Sequence, residues 1–118
     1  LPYFIHVKGQ PIFCFAGLYN YSPLPDPETG ELIGTFSIIT RAANPLMATI
    51  HNGGTNSGRM PLLLPKEKAI QWLDKSLTDD SLRTILDYEF PESEMEAWPV
   101  NTIRTRKEDG PRVIERAS

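Results

Sequence analysis

The sequence predicts an α+β fold: a curved, largely antiparallel β-sheet with two or three short helices packed on its edge. Early in the chain, short segments of aromatic and β-branched residues follow one another across brief connections, which favours antiparallel neighbours. Two later stretches repeat apolar residues at helical spacing. No interior boundary, repeat or low-complexity segment breaks the 118 residues, which are enough for one compact domain.

Tyr3 to Val7 is a strand by composition, Gly9-Gln10 is a tight turn, and Pro11 to Tyr19 is a second strand-like run. The two runs are expected to form a hairpin. Ser22 to Gly30 holds Pro23, Pro25 and Pro27 and is expected to be an exposed loop. Leu32 to Thr40 is a third strand. Asn44-Pro45 starts a short helix, because proline is tolerated in a first helical turn, and that helix ends near Ile50 or His51. Asn52 to Gly58 is a polar, glycine-rich loop, and Met60 to Leu64 is a short buried strand. Lys66 to Leu77 is a helix, with Ala69, Ile70, Leu73 and Leu77 on one face. Thr78 to Asp80 offers an N-cap for another, marked by Leu82, Ile85 and Leu86. Pro91 ends that region, Met95 to Val100 is one more strand, and Val113-Ile114 is expected to pair as a terminal strand.

Composition narrows the function classes. No apolar run approaches the ~20 residues that cross a bilayer, and no secretory signal pattern is present. The single cysteine, Cys14, excludes an internal disulfide framework and fits a reducing compartment. Two histidines and one cysteine supply no metal-ligand spacing, so no metal site is expected. The net charge of −3 argues mildly against non-specific nucleic-acid binding. It is unevenly spread. Asp79, Asp80, Asp87, Glu89, Glu92, Glu94 and Glu96 crowd one stretch, without calcium-loop spacing. Arg104, Arg106, Lys107, Arg112 and Arg116 crowd the tail, among Glu108, Asp109 and Glu115. A basic face binds phosphate whatever the net charge, although a mixed-charge tail is most often solvated surface. The chain opens Leu1-Pro2-Tyr3 straight into a strand, which reads as a fragment lacking its N-terminal part; a processed small protein is the alternative.

The chemistry concentrates in Thr40 to Pro61. His51 sits at a helix end beside the glycine loop, and histidine exchanges protons near neutrality. Arg59 follows the loop, just before the apolar run that anchors it. The pair suits an anionic, oxygen-rich substrate, the arginine holding phosphate and the histidine moving a proton. Against this, a histidine at a helix end is commonly a cap or surface residue. The glycine loop lacks the Gly-Lys-Ser/Thr ending of a phosphate loop. Cys14, within an apolar strand, reads as inert core. His6 reads as an outward polar residue, and Trp72 and Trp98 as packing residues rather than base-stacking platforms.

Pro2-Tyr3-Phe4-Ile5, Gly17-Leu18-Tyr19, Thr35 to Thr40, Ala43-Asn44, Ile50-His51, Arg59-Met60-Pro61, Leu62 to Pro65, the Trp72 helix and Trp98-Pro99-Val100-Asn101 occur in the order and spacing of one known family. The chain resembles the C-terminal half of the SRAP domain, the SOS response-associated peptidase family. The resemblance implies a sheet that is barrel-like in the complete domain. It implies capture of abasic sites in single-stranded DNA, in which an N-terminal cysteine outside this chain closes a thiazolidine with the abasic aldehyde. An asparagine and a glutamate that assist would also precede Leu1. His51 matches the family's active-site histidine, Thr40 the threonine that lines the site, and Arg59 the arginine of the Arg-Met-Pro segment near DNA phosphate. Many members have a single residue between that histidine and arginine, where this chain has Asn52 to Gly58. No cofactor is implied, and the setting implied is cytoplasmic, nucleoid-associated when DNA is bound. Two other readings stay open: a thiol-dependent peptidase acting on its own N-terminus, and a non-catalytic nucleic-acid-binding or structural module. The opening strands are expected to pair with strands of the absent half, leaving edges and apolar surface bare in this chain.

Overall fold

A computed structural model describes residues 2–104 and 109–117. Leu1 at the chain opening, and Arg106, Lys107 and Glu108 of the charged tail, lie outside the described residues. In chain order the strands are β1 (Tyr3–Val7), β2 (Cys14–Phe15), β3 (Gly17–Pro25), β4 (Leu32–Ile38), β5 (Thr40–Ala42), β6 (Arg59–Pro61), β7 (Leu63–Leu64) and β8 (Met95–Pro99). The helices are α1 (Pro45–Ile50), α2 (Lys66–Trp72) and α3 (Asp79–Leu86). This is the mixed architecture expected, with three helices and antiparallel strand pairs throughout the described residues. The chain divides into two compact units, Leu1–Phe13 with Pro91–Ser118, and Cys14–Phe90.

In the first unit β1 pairs with β8, Tyr3 opposite Pro99 through Val7 opposite Met95. The expected hairpin between the first two runs is therefore not formed. Gly9, at φ +70°, turns the chain back so that Gln10 bridges Val7, but the pairing ends there. β1 instead takes a partner ninety residues away, as with His6 and Glu96, whose side chains meet at 2.9 Å. Phe4 and Trp98, directly opposite, have ring centroids 5.1 Å apart. Val7, Met95 and Val100 are buried. Val113-Ile114 is not a strand. Pro111 opens a 3-10 helix over Pro111–Ile114, whose last carbonyl accepts a 2.7 Å bond from the Trp98 indole, and the bridge to Val100 comes from Arg116.

The second unit holds three antiparallel pairs, β2 with β7, β3 with β4, and β5 with β6. Its core gathers Ala16, Leu62, Leu64 and Ile85, with Ile39, Ala69, Trp72, Leu77 and Tyr88 against them. The pairs meet at three junction residues whose backbones close a ring. Ala16 N–H donates to Leu62 O at 2.9 Å, Leu62 N–H to Ile39 O at 2.8 Å, and Ile39 N–H to Ala16 O at 3.0 Å. This ring explains why the expected Leu32-to-Thr40 strand breaks at Ile39: the residue leaves the β4 ladder to pair within the ring. It also fixes Thr40, which follows.

Two further boundaries differ from expectation. The proline-rich stretch is partly strand, since β3 continues to Pro25, opposite Leu32. β3 has a partner on one side only within its pair, so a proline lacking N–H costs no ladder bond there, and the register shift after Tyr21 absorbs the misfit. The helix expected to reach Leu77 stops at Trp72. The Asp74 carboxylate accepts bonds from Ser76 N–H and Oγ–H at 2.9 and 2.7 Å, a local turn that competes with helix. Thr78 caps α3 as expected, accepting from Ser81 N–H. No helix among the described residues is long and apolar enough to cross a membrane.

Candidate functional site

The candidate site is built wholly within the second unit, from the end of α1, the loop that follows it, and the β5–β6 pair. Asn44 starts it. Its side-chain oxygen accepts from Met47 N–H at 3.0 Å, capping α1, while its amide donates to Phe90 O at 2.9 Å. Asn44 is fully buried, so both bonds are made out of reach of water. With the helix start fixed and Pro45 setting its first turn, α1 runs six residues and ends at His51.

His51 N–H bonds back to Met47 O at 2.8 Å, so the residue closes the helix as its C-cap. Its ring is held from the other side, Nδ1 lying 3.0 Å from the Arg59 carbonyl. A carbonyl only accepts, so Nδ1 carries the proton in this contact. The neutral ring then keeps its lone pair on Nε2, which has no hydrogen-bond partner among the described residues. His51 is solvent-exposed.

The loop Asn52 to Gly58 is pinched at its base. Gly58 N–H donates to His51 O at 3.0 Å, and Ala43 N–H donates to Gly58 O at 2.9 Å. Gly58 has φ +73°, a left-handed conformation that glycine adopts without strain, and it delivers the chain into β6. The length of the loop thus does not separate His51 from Arg59; the excursion leaves and returns at the same point.

Arg59 opens β6 opposite Ala42, with Thr40 opposite Pro61. Its Nη2 donates to Thr40 O at 2.9 Å and to Thr40 Oγ1 at 3.1 Å. Both residues are exposed, whereas the next residue, Met60, is buried and anchors the strand. The rest of the guanidinium has no partner among the described residues, so a planar set of donors remains for an anion. Thr40, His51 and Arg59 therefore come together, Thr40 through two bonds from the Arg59 side chain and His51 through the Arg59 carbonyl. The arrangement can hold an anionic group on Arg59 and offer a proton acceptor at His51 Nε2.

Sequence reasoning missed two supports. Arg41, between Thr40 and Ala42, bonds through Nε to Ala42 O at 2.7 Å, through Nη1 to Asp87 O at 3.3 Å and through Nη2 to Glu89 Oε1 at 3.3 Å. It ties β5 to the segment after α3, and no local pattern signals so distant a partner. Asn44 was legible as a helix start, but its bond to Phe90 was not. Cys14 is exposed rather than core: β2 is only two residues long, and both Cys14 and Phe15 are open to solvent. Trp72 packs on the core and donates to Gly17 O at 3.0 Å.

The family model described as SOS response associated peptidase (SRAP) matches residues 1–104. The chain is 34% identical over 117 residues to the abasic site processing protein YoqW of Bacillus subtilis (strain 168), covering 98% of this chain and 48% of that protein. It is 33% identical over 104 residues to the abasic site processing protein YobE of the same organism, covering 87% and 43% respectively. The crystal structure of a protein from Bacteroides thetaiotaomicron shares the fold with a TM-score of 0.84 at 36% identity, covering 99% of this chain and 48% of that one. The chain spans about half the length of the curated relatives it matches.

Proposed function

This chain belongs to the SOS response associated peptidase (SRAP) family, and from that premise we propose that it supplies the proton-transfer and phosphate-binding part of a protein that captures abasic sites in single-stranded DNA. The observation that carries the reading is the contact of His51 Nδ1 with the Arg59 carbonyl while Arg59 holds Thr40. A single residue thereby sets both the proton acceptor and the anion donor.

In this reading the nucleophile is an N-terminal cysteine outside the 118 residues. An abasic sugar rests mainly as a closed hemiacetal. Its C1 hydroxyl must lose a proton as the ring oxygen gains one for the aldehyde to appear. His51 Nε2 accepts the first proton, and the imidazolium returns one to the ring oxygen. The cysteine amine then condenses with the aldehyde, releasing one water, and the thiol adds across the resulting C=N bond to close a thiazolidine. Arg59 holds a neighbouring phosphate so that the sugar stays within reach. The setting is DNA in the cytoplasm, with no cofactor.

The experiment uses this chain joined to the segment that supplies the cysteine, with a single-stranded oligonucleotide carrying one abasic site. A DNA–protein adduct that survives denaturation is expected. Release of N-terminal residues without any adduct would favour the self-processing peptidase, and strand binding without either would favour a non-catalytic module.

A further inference from the structure

The loop between His51 and Arg59 opens with an Asn52-Gly53 pair. An asparagine side chain reacts slowly with its own backbone: the nitrogen of the following residue attacks Cγ, and a five-membered imide closes. Three conditions set the rate. The following residue must be small enough for the chain to fold onto the side chain. Its N–H must be free of hydrogen bonds, and the backbone must have room to move.

The chain has five asparagines, all among the described residues, and only Asn52 meets all three conditions. Asn44 is buried and precedes Pro45, which has no N–H. Asn20 precedes Tyr21, whose N–H donates to Asn20 Oδ1 at 2.8 Å within β3. Asn56 precedes Ser57, whose N–H donates to Gly54 O at 3.4 Å. Asn101 precedes Thr102, whose branched side chain stiffens and crowds the approach. Asn52 precedes a glycine. The Gly53 N–H has no hydrogen-bond partner among the described residues, and both residues are exposed. The Asn52 amide donates only to Thr49 O at 3.3 Å, longer than a well-formed N–H···O bond.

We infer that Asn52 is a site of spontaneous deamidation, and that the reaction places a carboxylate at the edge of the Thr40–His51–Arg59 site. In the first step the bond from Gly53 N to Cγ forms and the Cγ–Nδ2 bond breaks. The amide nitrogen leaves as ammonia, carrying the proton from Gly53 N. Water then opens the imide. Attack at Cγ gives aspartate, and attack at the Asn52 main-chain carbonyl gives isoaspartate, with the backbone rerouted through Cγ. Solvent water is the only co-reactant. Either product takes the formal charge one unit below −3. The new charge follows His51 directly, and the His51 carbonyl accepts from Gly58 N–H at 3.0 Å, the contact that returns the chain to Arg59. A carboxylate there opposes an incoming phosphate by like charge. That consequence rests on the reading of Arg59 as a phosphate ligand; the deamidation itself does not.

The test incubates the chain, joined to the segment that supplies the cysteine, in warm, mildly alkaline buffer and maps its peptides by mass spectrometry over time. The Asn52 peptide should convert to aspartate and isoaspartate, isoaspartate in excess, several-fold faster than the peptides holding Asn20, Asn56 and Asn101. Gly53 lies outside the left-handed region and has open space where a Cβ would go. Gly53→Ala therefore fits without strain and should slow the conversion several-fold. An Asn52 peptide that converts no faster than the others, or equal rates in wild type and Gly53→Ala, overturns the inference. Asn52→Asp reads the consequence: it should bind intact single strands several-fold more weakly than wild type at low salt, the difference shrinking at high salt. Equal binding at low salt removes the carboxylate from the edge of the site. The peptide mapping involves no DNA, so failure there is separate from failure of the abasic-site reading.

Discussion

The Nδ1 of His51 donates to the main-chain carbonyl of Arg59 across 3.0 Å, and this contact fixes both the tautomer and the direction of the imidazole. The partner is a backbone atom held in the β5–β6 ladder, so the ring's orientation survives changes in the Arg59 side chain. His51→Ala should slow formation or reversal of the DNA adduct by on the order of a hundredfold or more, the scale of a positioned general base. Stability should move by no more than about 0.5 kcal/mol, because the residue is exposed. Adduct kinetics on denaturing gels, beside urea unfolding of the same variant, check it. Unchanged forward and reverse rates would return His51 to the role of a helix cap.

Arg59→Ala should act on affinity rather than chemistry. Binding to intact single strands should weaken, and the slope of log K against log salt should become shallower by about 0.7, one phosphate contact on a single strand. The His51 ring should stay in place, since only the Arg59 carbonyl holds it. Anisotropy titrations at several salt concentrations measure the slope. An unchanged slope would remove Arg59 from the DNA-binding surface.

What the sequence made legible was local. Asn44-Pro45 and Thr78 announce helix starts because capping chemistry is complete within four residues. His51 and Arg59 were legible as neighbours because they border one loop, whereas Thr40 entered through the family resemblance. Pairing was not legible. β1 has the composition of a hairpin strand, but composition carries no information about a partner at Met95–Pro99. Likewise Ile39 looks like one more strand residue, and only its bonds to Ala16 and Leu62 reveal it as a junction. The early stop of α2 turns on an Asp74–Ser76 contact that competes weakly with helix, a balance that apolar periodicity does not register.

That contact has its own signature. Asp74 has its carboxyl pKa lowered below the ordinary 3.8, first by the Ser76 backbone N–H and then by its hydroxyl. A depressed folded-state pKa means the contribution to stability is full above the unfolded value and is lost as pH falls through the folded one. The stability difference between wild type and Asp74→Asn should therefore be constant near neutrality and change only below about pH 4. Ser76→Ala should raise the midpoint only part of the way, because the backbone donor remains. Carboxyl NMR titration of wild type and Ser76→Ala, with urea unfolding of wild type and Asp74→Asn across pH, tests this, and a Ser76→Ala midpoint at or above 3.8 would contradict it.

Asn44 gives the sharpest stability test, because its two ends do different work at full burial. The oxygen caps α1 and the amide satisfies the Phe90 carbonyl. Asn44→Ala removes both and should cost roughly 2–4 kcal/mol, a lost cap plus a buried acceptor left bare. Asn44→Asp keeps the cap but turns a carboxylate oxygen toward the carbonyl. Burial and that facing oxygen both disfavour the charged form, so the folded-state pKa of the new carboxyl rises. Its stability is then highest below the unfolded value near ~3.9 and falls as pH rises, because only the protonated acid donates to Phe90. Urea unfolding of the two variants across pH distinguishes the roles. Asn44→Asp should gain stability relative to Asn44→Ala on acidification. If the two variants keep a constant difference at every pH, the Phe90 bond contributes nothing, and α1 with His51 at its end is held by the cap alone.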